Sequence, residues 1–250
     1  MTHLTIITGA SRGLGAALAV QLLNPPAHLI CISRSSNKRL PALATQEGAT
    51  LEQWSMDLAD GTAAAQRLAQ WLATQDTTHF SQATLINNAG VISALVPLRA
   101  ADPSDLARAL RVGLEAPLQL SAVFLAGTLQ WTAQRKLLNI SSGLGRRAMA
   151  SSSAYCAAKA GIDHFTRCVA LEEASQPHGA KVCSLAPGVI DTSMQDQLRA
   201  ADPAQFPDRA TFEGLHAQGQ LSSVADAARK VLAYLNRPDF GNEPLGDVRG

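Results

Sequence analysis

The chain has almost no surplus charge of either sign: 21 lysines and arginines stand against 20 aspartates and glutamates, a formal net charge of +1 over 250 residues. No global field then draws it to nucleic acid or to an anionic membrane, which points to small molecules or other protein chains as partners. Histidine is sparse and scattered. His3, His28, His79, His164, His178 and His216 never fall into H-E-x-x-H spacing, so no metal site is expected. Cys31, Cys156, Cys168 and Cys183 show no C-x-x-C pairing and read as small hydrophobes of an intracellular domain. Apolar runs break before the roughly 18 residues that a bilayer span needs. No basic-then-apolar leader precedes Leu4, so cytoplasmic residence is the expectation. Asn139-Ile140-Ser141 matches a glycosylation acceptor but falls in an apolar strand pattern, and it is set aside. Repeats, low-complexity tracts and linkers are also missing, and residues 1–250 read as one α/β domain.

What is present is arranged around residues 4–15, LTIITGASRGLG. A β-branched apolar run meets Gly9, and an Ala/Leu-rich helical pattern starts at Gly13. In such a strand-turn-helix, Gly9 reverses the chain, Gly13 admits a pyrophosphate against bare backbone, and Gly15 lets helix and strand pack closely. The helix start offers unpaired N–H groups and a positive dipole end to the anion.

Strand and helix then alternate. A helix over 13–23 is stopped by Asn24-Pro25-Pro26, and a second strand, 29–32, ends in Ser33-Arg34-Ser35 with no acid. An Asp or Glu there would bond a ribose 2′-hydroxyl, whereas Arg34, with Arg12 from the glycine turn, suits a 2′-phosphate; the cofactor inferred is NADP(H). A third strand (51–55) leads to Asp57, either an acceptor for the adenine amino group or the cap of a turn. A helix (62–73) and a fourth strand (83–86) follow, ending in Asn87-Asn88-Ala89-Gly90, which suits a cofactor crevice or a plain turn. Helices are expected over 103–114 and 116–130, a fifth strand over 136–140, a helix over 153–174, a sixth strand over 181–185 and a last helix over 224–235. The looser stretch 193–222 reads as a mobile substrate lid whose apolar residues could equally be core or dimer contacts. A short strand over 245–248 closes the pattern.

Three groups carry chemistry: Ser142 at a strand end, and Tyr155 and Lys159 at i and i+4 on one helix face. A phenol is a poor acid at neutral pH, and an ammonium one turn away, helped by the positive nicotinamide ring in the oxidised state, lowers its pKa. Tyr155 then protonates a carbonyl oxygen as hydride arrives, Ser142 holds that oxygen, and Lys159 grips ribose hydroxyls.

TGASRGLG (8–15), NNAG (87–90), Ser142, YCAAK (155–159) and PGVIDT (187–192), in this order, resemble the short-chain dehydrogenase/reductase family. NISSGLG, AYCAAKAG, FTRCVALEE and APGVIDTSMQ are most similar to its sepiapterin reductase-like branch, which includes the bacterial benzil reductases. The resemblance implies a Rossmann-type doubly wound sheet of about seven mostly parallel strands in three αβα layers, NADPH as hydride donor, ketone or vicinal diketone substrates, and a homodimer or homotetramer. It also implies that Gly9, Ser11, Arg12, Gly13, Leu14 and Gly15 hold the cofactor's phosphates, that Asn88, Ala89 and Gly90 border the adenosine, and that Pro187, Gly188, Val189 and Thr192 reach the nicotinamide end. Asp247 is a candidate for the C-terminal acid of pterin-binding relatives. One position departs from the family: Gly113 in RVGLEAP stands where an Asn supports a water relay to the lysine. Other readings are a 3-oxoacyl or other ketone reductase, a nucleotide-sensing regulator that lacks the chemistry, and a dimerisation module.

Overall fold

The computed structural model describes residues 1–249. Strands β1 (Thr2–Thr8), β2 (Ala27–Ser33), β3 (Thr50–Ser55), β4 (Phe80–Asn87), β5 (Gln134–Ile140), β6 (Lys181–Ala186) and β7 (Leu245–Asp247) form one 7-stranded sheet in the order β3-β2-β1-β4-β5-β6-β7. All neighbouring pairs are parallel. The strands read as unbroken apolar runs because both faces are covered. Side chains alternate between the two cores: Ile30 and Ile32 pack with Leu4, Ile6, Leu85 and Leu137 on one face, while Leu29 and Cys31 pack with Ile7, Ile86 and Leu138 on the other.

Helices α1 (Gly13–Leu22), α2 (Leu40–Glu47) and α9 (Val224–Leu235) cover the second face, burying Leu14, Leu18, Leu40 and Val231. Helices α3 (Gly61–Ala73), α5 (Ala116–Gly127) and α6 (Ser153–Ala174) cover the first, burying Leu68, Leu120, Phe124 and Val169. This is the doubly wound three-layer architecture expected from the sequence. Its strand order reverses between β1 and β4, so their carboxyl ends open a crevice.

Several local expectations change. Helix α2, which no apolar stripe announced, begins with Pro41 in its first turn and buries only Leu40 and Ala44. Helix α4 (Pro103–Leu110) does not stop before α5 but continues through a π-helical segment, Arg111–Glu115, into one 25-residue helical run. That run, contrary to the reading that apolar stretches are too short, is long and apolar enough to cross a bilayer by length and composition. Here its inward side (Val112, Ala116, Leu120 and Phe124) is core, and each large side chain so buried stabilises the fold by about 1.5–3 kcal/mol.

The stretch expected as a loose lid is built of two helices, α7 (Ser193–Ala200) and α8 (Arg209–Ala217). Leu198, Phe206 and Phe212 from it meet Met149 in a third small core, with Phe206 and Phe212 stacked at 5.8 Å. Its ends are pinned together by the Ile190–Ser222 bridge.

Candidate active site

The crevice at the carboxyl ends of β1 and β4 is a cleft of about 680 Å³. Its first wall is the glycine turn. Gly9 (φ +73°) and Gly13 (φ +57°) lie in the left-handed region that L side chains avoid. A Cβ on Gly15 would strike the Gly9 carbonyl, so the turn folds back on itself at this point. The neighbouring strand clamps it. Thr8 Oγ1 accepts from the N–H groups of Asn88 and Ala89, both at 3.0 Å, and Asn88 Nδ2 donates to the Thr8 carbonyl at 2.9 Å. Asn87 points the other way and ties β4 to β5 through Asn139 Oδ1 at 2.9 Å. No side chain caps α1, so its first-turn N–H groups remain open toward the cleft, and the residues present fit a dinucleotide's pyrophosphate.

At the far end of that wall, Ser33 Oγ donates to the Ser35 carbonyl at 2.9 Å and shapes the turn that carries Arg34. Asp57 caps its turn, with Oδ1 accepting from Ala59 N–H at 3.0 Å, and it also lines the cleft.

The opposite wall is α6. Tyr155 and Lys159 are buried, and the Lys159 ammonium lies 5.7 Å from the Tyr155 ring centroid. Lys159 Nζ donates to the Ile140 carbonyl at 2.7 Å, and a Cβ on Gly90 would come within 3.7 Å of it. The ammonium thus sits between the ends of β4 and β5. Burial pulls its pKa down to about 8, opposed by the Asp163 charge.

For Tyr155 the balance differs from the sequence argument. Burial pushes the phenol up, and the Ser142 hydrogen bond draws it back only in part. The dominant influence on the phenol is thus desolvation of its anion, which holds the pKa above the ordinary tyrosine value. Ser142 lies between Ser141 and Leu144, which both line the cleft. It stands at the start of a short 3-10 turn, Gly143–Gly145, where Oγ accepts from Leu144 N–H at 3.1 Å.

The structure gathers the remaining residues singled out from sequence at this one cleft: Gly9, Ser11, Arg12, Gly13, Leu14, Gly15, Arg34, Asn88, Ala89, Gly90, Pro187, Gly188, Val189 and Thr192 all line it. Of the apolar end, the sequence pointed to Leu198 and Phe212 of the lid but not to Ile92, Val112 or Leu144. Ile92, Val112, Leu144, Leu198 and Phe212 close over the space beside Tyr155, together with Gln195.

A family model described as short chain dehydrogenase matches residues 3–203. The chain belongs to the short chain dehydrogenase family. Over 243 residues it is 35% identical to the benzil reductase ((S)-benzoin forming) of Bacillus cereus, a match covering 97% of this chain and 96% of that protein. It is 30% identical to the sepiapterin reductase of Rattus norvegicus over 250 residues, covering 94% of this chain and 92% of that one. These relatives place it in the benzil and sepiapterin reductase-like branch. An Agrobacterium tumefaciens structure with bound NADP superposes with a TM-score of 0.80 at 25% identity, covering 98% of this chain and 94% of that one.

Short chain dehydrogenases bind a nicotinamide cofactor and act on CH–OH and C=O groups, and this member has two local peculiarities. Gly113, buried within the π-helical segment, has space for little more: a Cβ there would lie 3.1 Å from Ala158 Cβ. Asp247 lies at the end of the short strand β7. It lies outside the cleft lining, and its carboxylate is taken by Arg249 at 2.7 Å.

Proposed function

We propose that this short chain dehydrogenase is an NADPH-dependent carbonyl reductase acting on a ketone or vicinal diketone. The observation that carries the proposal is Tyr155: a phenol on the cleft wall, beside Ser142 and one helical turn from Lys159. The nicotinamide supplies hydride to the carbonyl carbon when bound. Tyr155 gives the carbonyl oxygen its proton, and its raised pKa keeps that proton in place at neutral pH. Ser142 orients the phenol and the carbonyl oxygen. Lys159 holds the ribose hydroxyls, and Leu144, Leu198 and Phe212 exclude water from the reacting end.

NADPH rather than NADH is supported by Arg34 and Arg12 on the cleft and by the missing acid after β2. The diketone class is supported by the apolar end of the cleft and by the benzil reductase relative. Cytoplasmic residence and a homodimer (or homotetramer) belong to the same proposal. Leu110 on α4 and Leu171 on α6, exposed by 37% and 77%, offer apolar contacts for a second copy.

The test is oxidation of NADPH and of NADH with a panel of benzil, other diketones, quinones, pterins and a 3-oxoacyl thioester, followed by chiral analysis of the product. Turnover of a diketone with NADPH preferred is the expected result. A second reading, a nucleotide-sensing regulator, is favoured by Gly113 alone and predicts NADPH binding with no substrate turned over.

A further inference from the structure

We propose that Asp163 is a positioning residue for this reduction, a buried carboxylate that fixes Lys159 and the Ser142 turn against each other from one helical turn further along α6. The inference rests on the carbonyl reductase reading. Asp163 follows Lys159 by four residues, so the two share a helix face, and it is 4% exposed. Its Oδ1 accepts from the hydroxyls of Ser141 at 2.6 Å and Ser184 at 2.7 Å, and its Oδ2 accepts from Arg146 Nε at 3.2 Å.

These bonds converge on the reacting side chains. Ser141 immediately precedes Ser142, Arg146 directly follows the Gly143–Gly145 turn, and Ser184 belongs to β6. Arg146 then reaches on, donating from Nη2 to the Gly246 carbonyl in β7 at 2.9 Å. Gly145 shows how closely the turn rests on α6: a Cβ there would lie 2.9 Å from the Lys159 carbonyl oxygen and 3.0 Å from Asp163 Oδ2. One carboxylate therefore holds the segment carrying Ser142 flush against the helix carrying Lys159.

Lys159 needs such a neighbour. It is a buried cation that makes no ion pair among the described residues, and its ammonium is bonded to a neutral carbonyl. Asp163 is the charge that supports its protonated form. The titratable groups around the pair include Tyr155 on α6, Arg108 of α4, which lines the same cleft, Arg146 from the turn, Asp247 on β7 held by Arg249, and on β6 the thiol of Cys183, which burial pushes up to about 11. Arg146 partly neutralises Asp163, so the two act on Lys159 in opposite directions.

The test follows Lys159 directly. The chain has five lysines, and labelling their ε-carbons with ¹³C lets Lys159 be titrated by NMR in the cofactor-free protein, assigned by the loss of its signal in Lys159→Met. Asp163→Asn keeps the shape and removes the charge, and should lower the Lys159 midpoint by about one pH unit. Arg146→Gln removes the compensating cation and should raise it. With NADPH and benzil, the alkaline fall of kcat/KM should move the same way in each variant, since that limb reports the free enzyme. A merely structural carboxylate would not give shifts of opposite sign. A Lys159 midpoint unmoved in Asp163→Asn would overturn the proposal; should that variant not fold, an unmoved or lowered midpoint in Arg146→Gln would do so. Wild-type protein that titrates normally but turns over no ketone would overturn the reductase reading instead.

Discussion

The ammonium of Lys159 is bonded to the carbonyl oxygen of Ile140, the last residue of β5, at 2.7 Å. The lysine is thereby anchored to the strand that leads into Ser142, and it lies beside the Tyr155 ring while its hydrogen bond goes to the sheet. It organises the end of the sheet, while burial raises the pKa of the phenol. A proton donor in that state is set for reduction.

Tyr155→Phe removes that donor and little else. Turnover should fall by at least about 10³-fold, while NADPH affinity, read by quenching of protein fluorescence, stays within a few-fold of wild type. Retained turnover would remove Tyr155 from the mechanism.

Burial of Lys159 has a thermodynamic signature. Its pKa in the folded protein, about 8, lies below the ordinary lysine value of 10.5. Between those values the unfolded chain binds more protons, so this group's contribution to stability grows as pH rises through that window. Relative to Lys159→Met, the wild type should gain stability there by up to about 1.4 kcal/mol per pH unit. Urea unfolding of both proteins at pH 7, 8, 9 and 10 measures the difference. A constant offset would show that the lysine is not desolvated.

Arg34→Asp should turn the cofactor preference over. It replaces a cation facing a 2′-phosphate with an acid able to bond a 2′-hydroxyl. Loss of one charge-assisted contact corresponds to roughly 10- to 100-fold in kcat/KM for NADPH, with NADH kinetics held or improved. Paired kinetics with the two cofactors decide it.

Gly113→Asn tests the missing relay side chain. The new Cβ would sit 3.1 Å from Ala158 Cβ, so the variant should lose about 1 kcal/mol of stability. Turnover per folded molecule should be unchanged or higher. A large fall in kcat at little loss of Tm would show that the empty space matters to catalysis and that the relay is placed wrongly.

Much of this was legible in the sequence because local and global signals agree. The β1 turn, the cofactor-side residues, and the bounds of α6 and α9 follow from glycine spacing, strand-end chemistry and helical period. The rest depends on tertiary context. Helix α2 buries only Leu40 and Ala44, too few to leave a stripe. Helices α7 and α8 are separated by Asp202-Pro203 and Phe206-Pro207, which read as loop although Phe206 is wholly buried. Asp163 looked like any polar residue on a helix. Its partners Ser141, Arg146 and Ser184 come from separate elements, and no period in the sequence connects them. The sign of the Tyr155 shift was likewise invisible, because desolvation depends on everything packed around the ring.

The bond from Arg146 to the Gly246 carbonyl also bears on handling the protein. A label or a cut that displaces β7 would disturb the strand that this guanidinium grips and pass the disturbance to the loop beside Ser142.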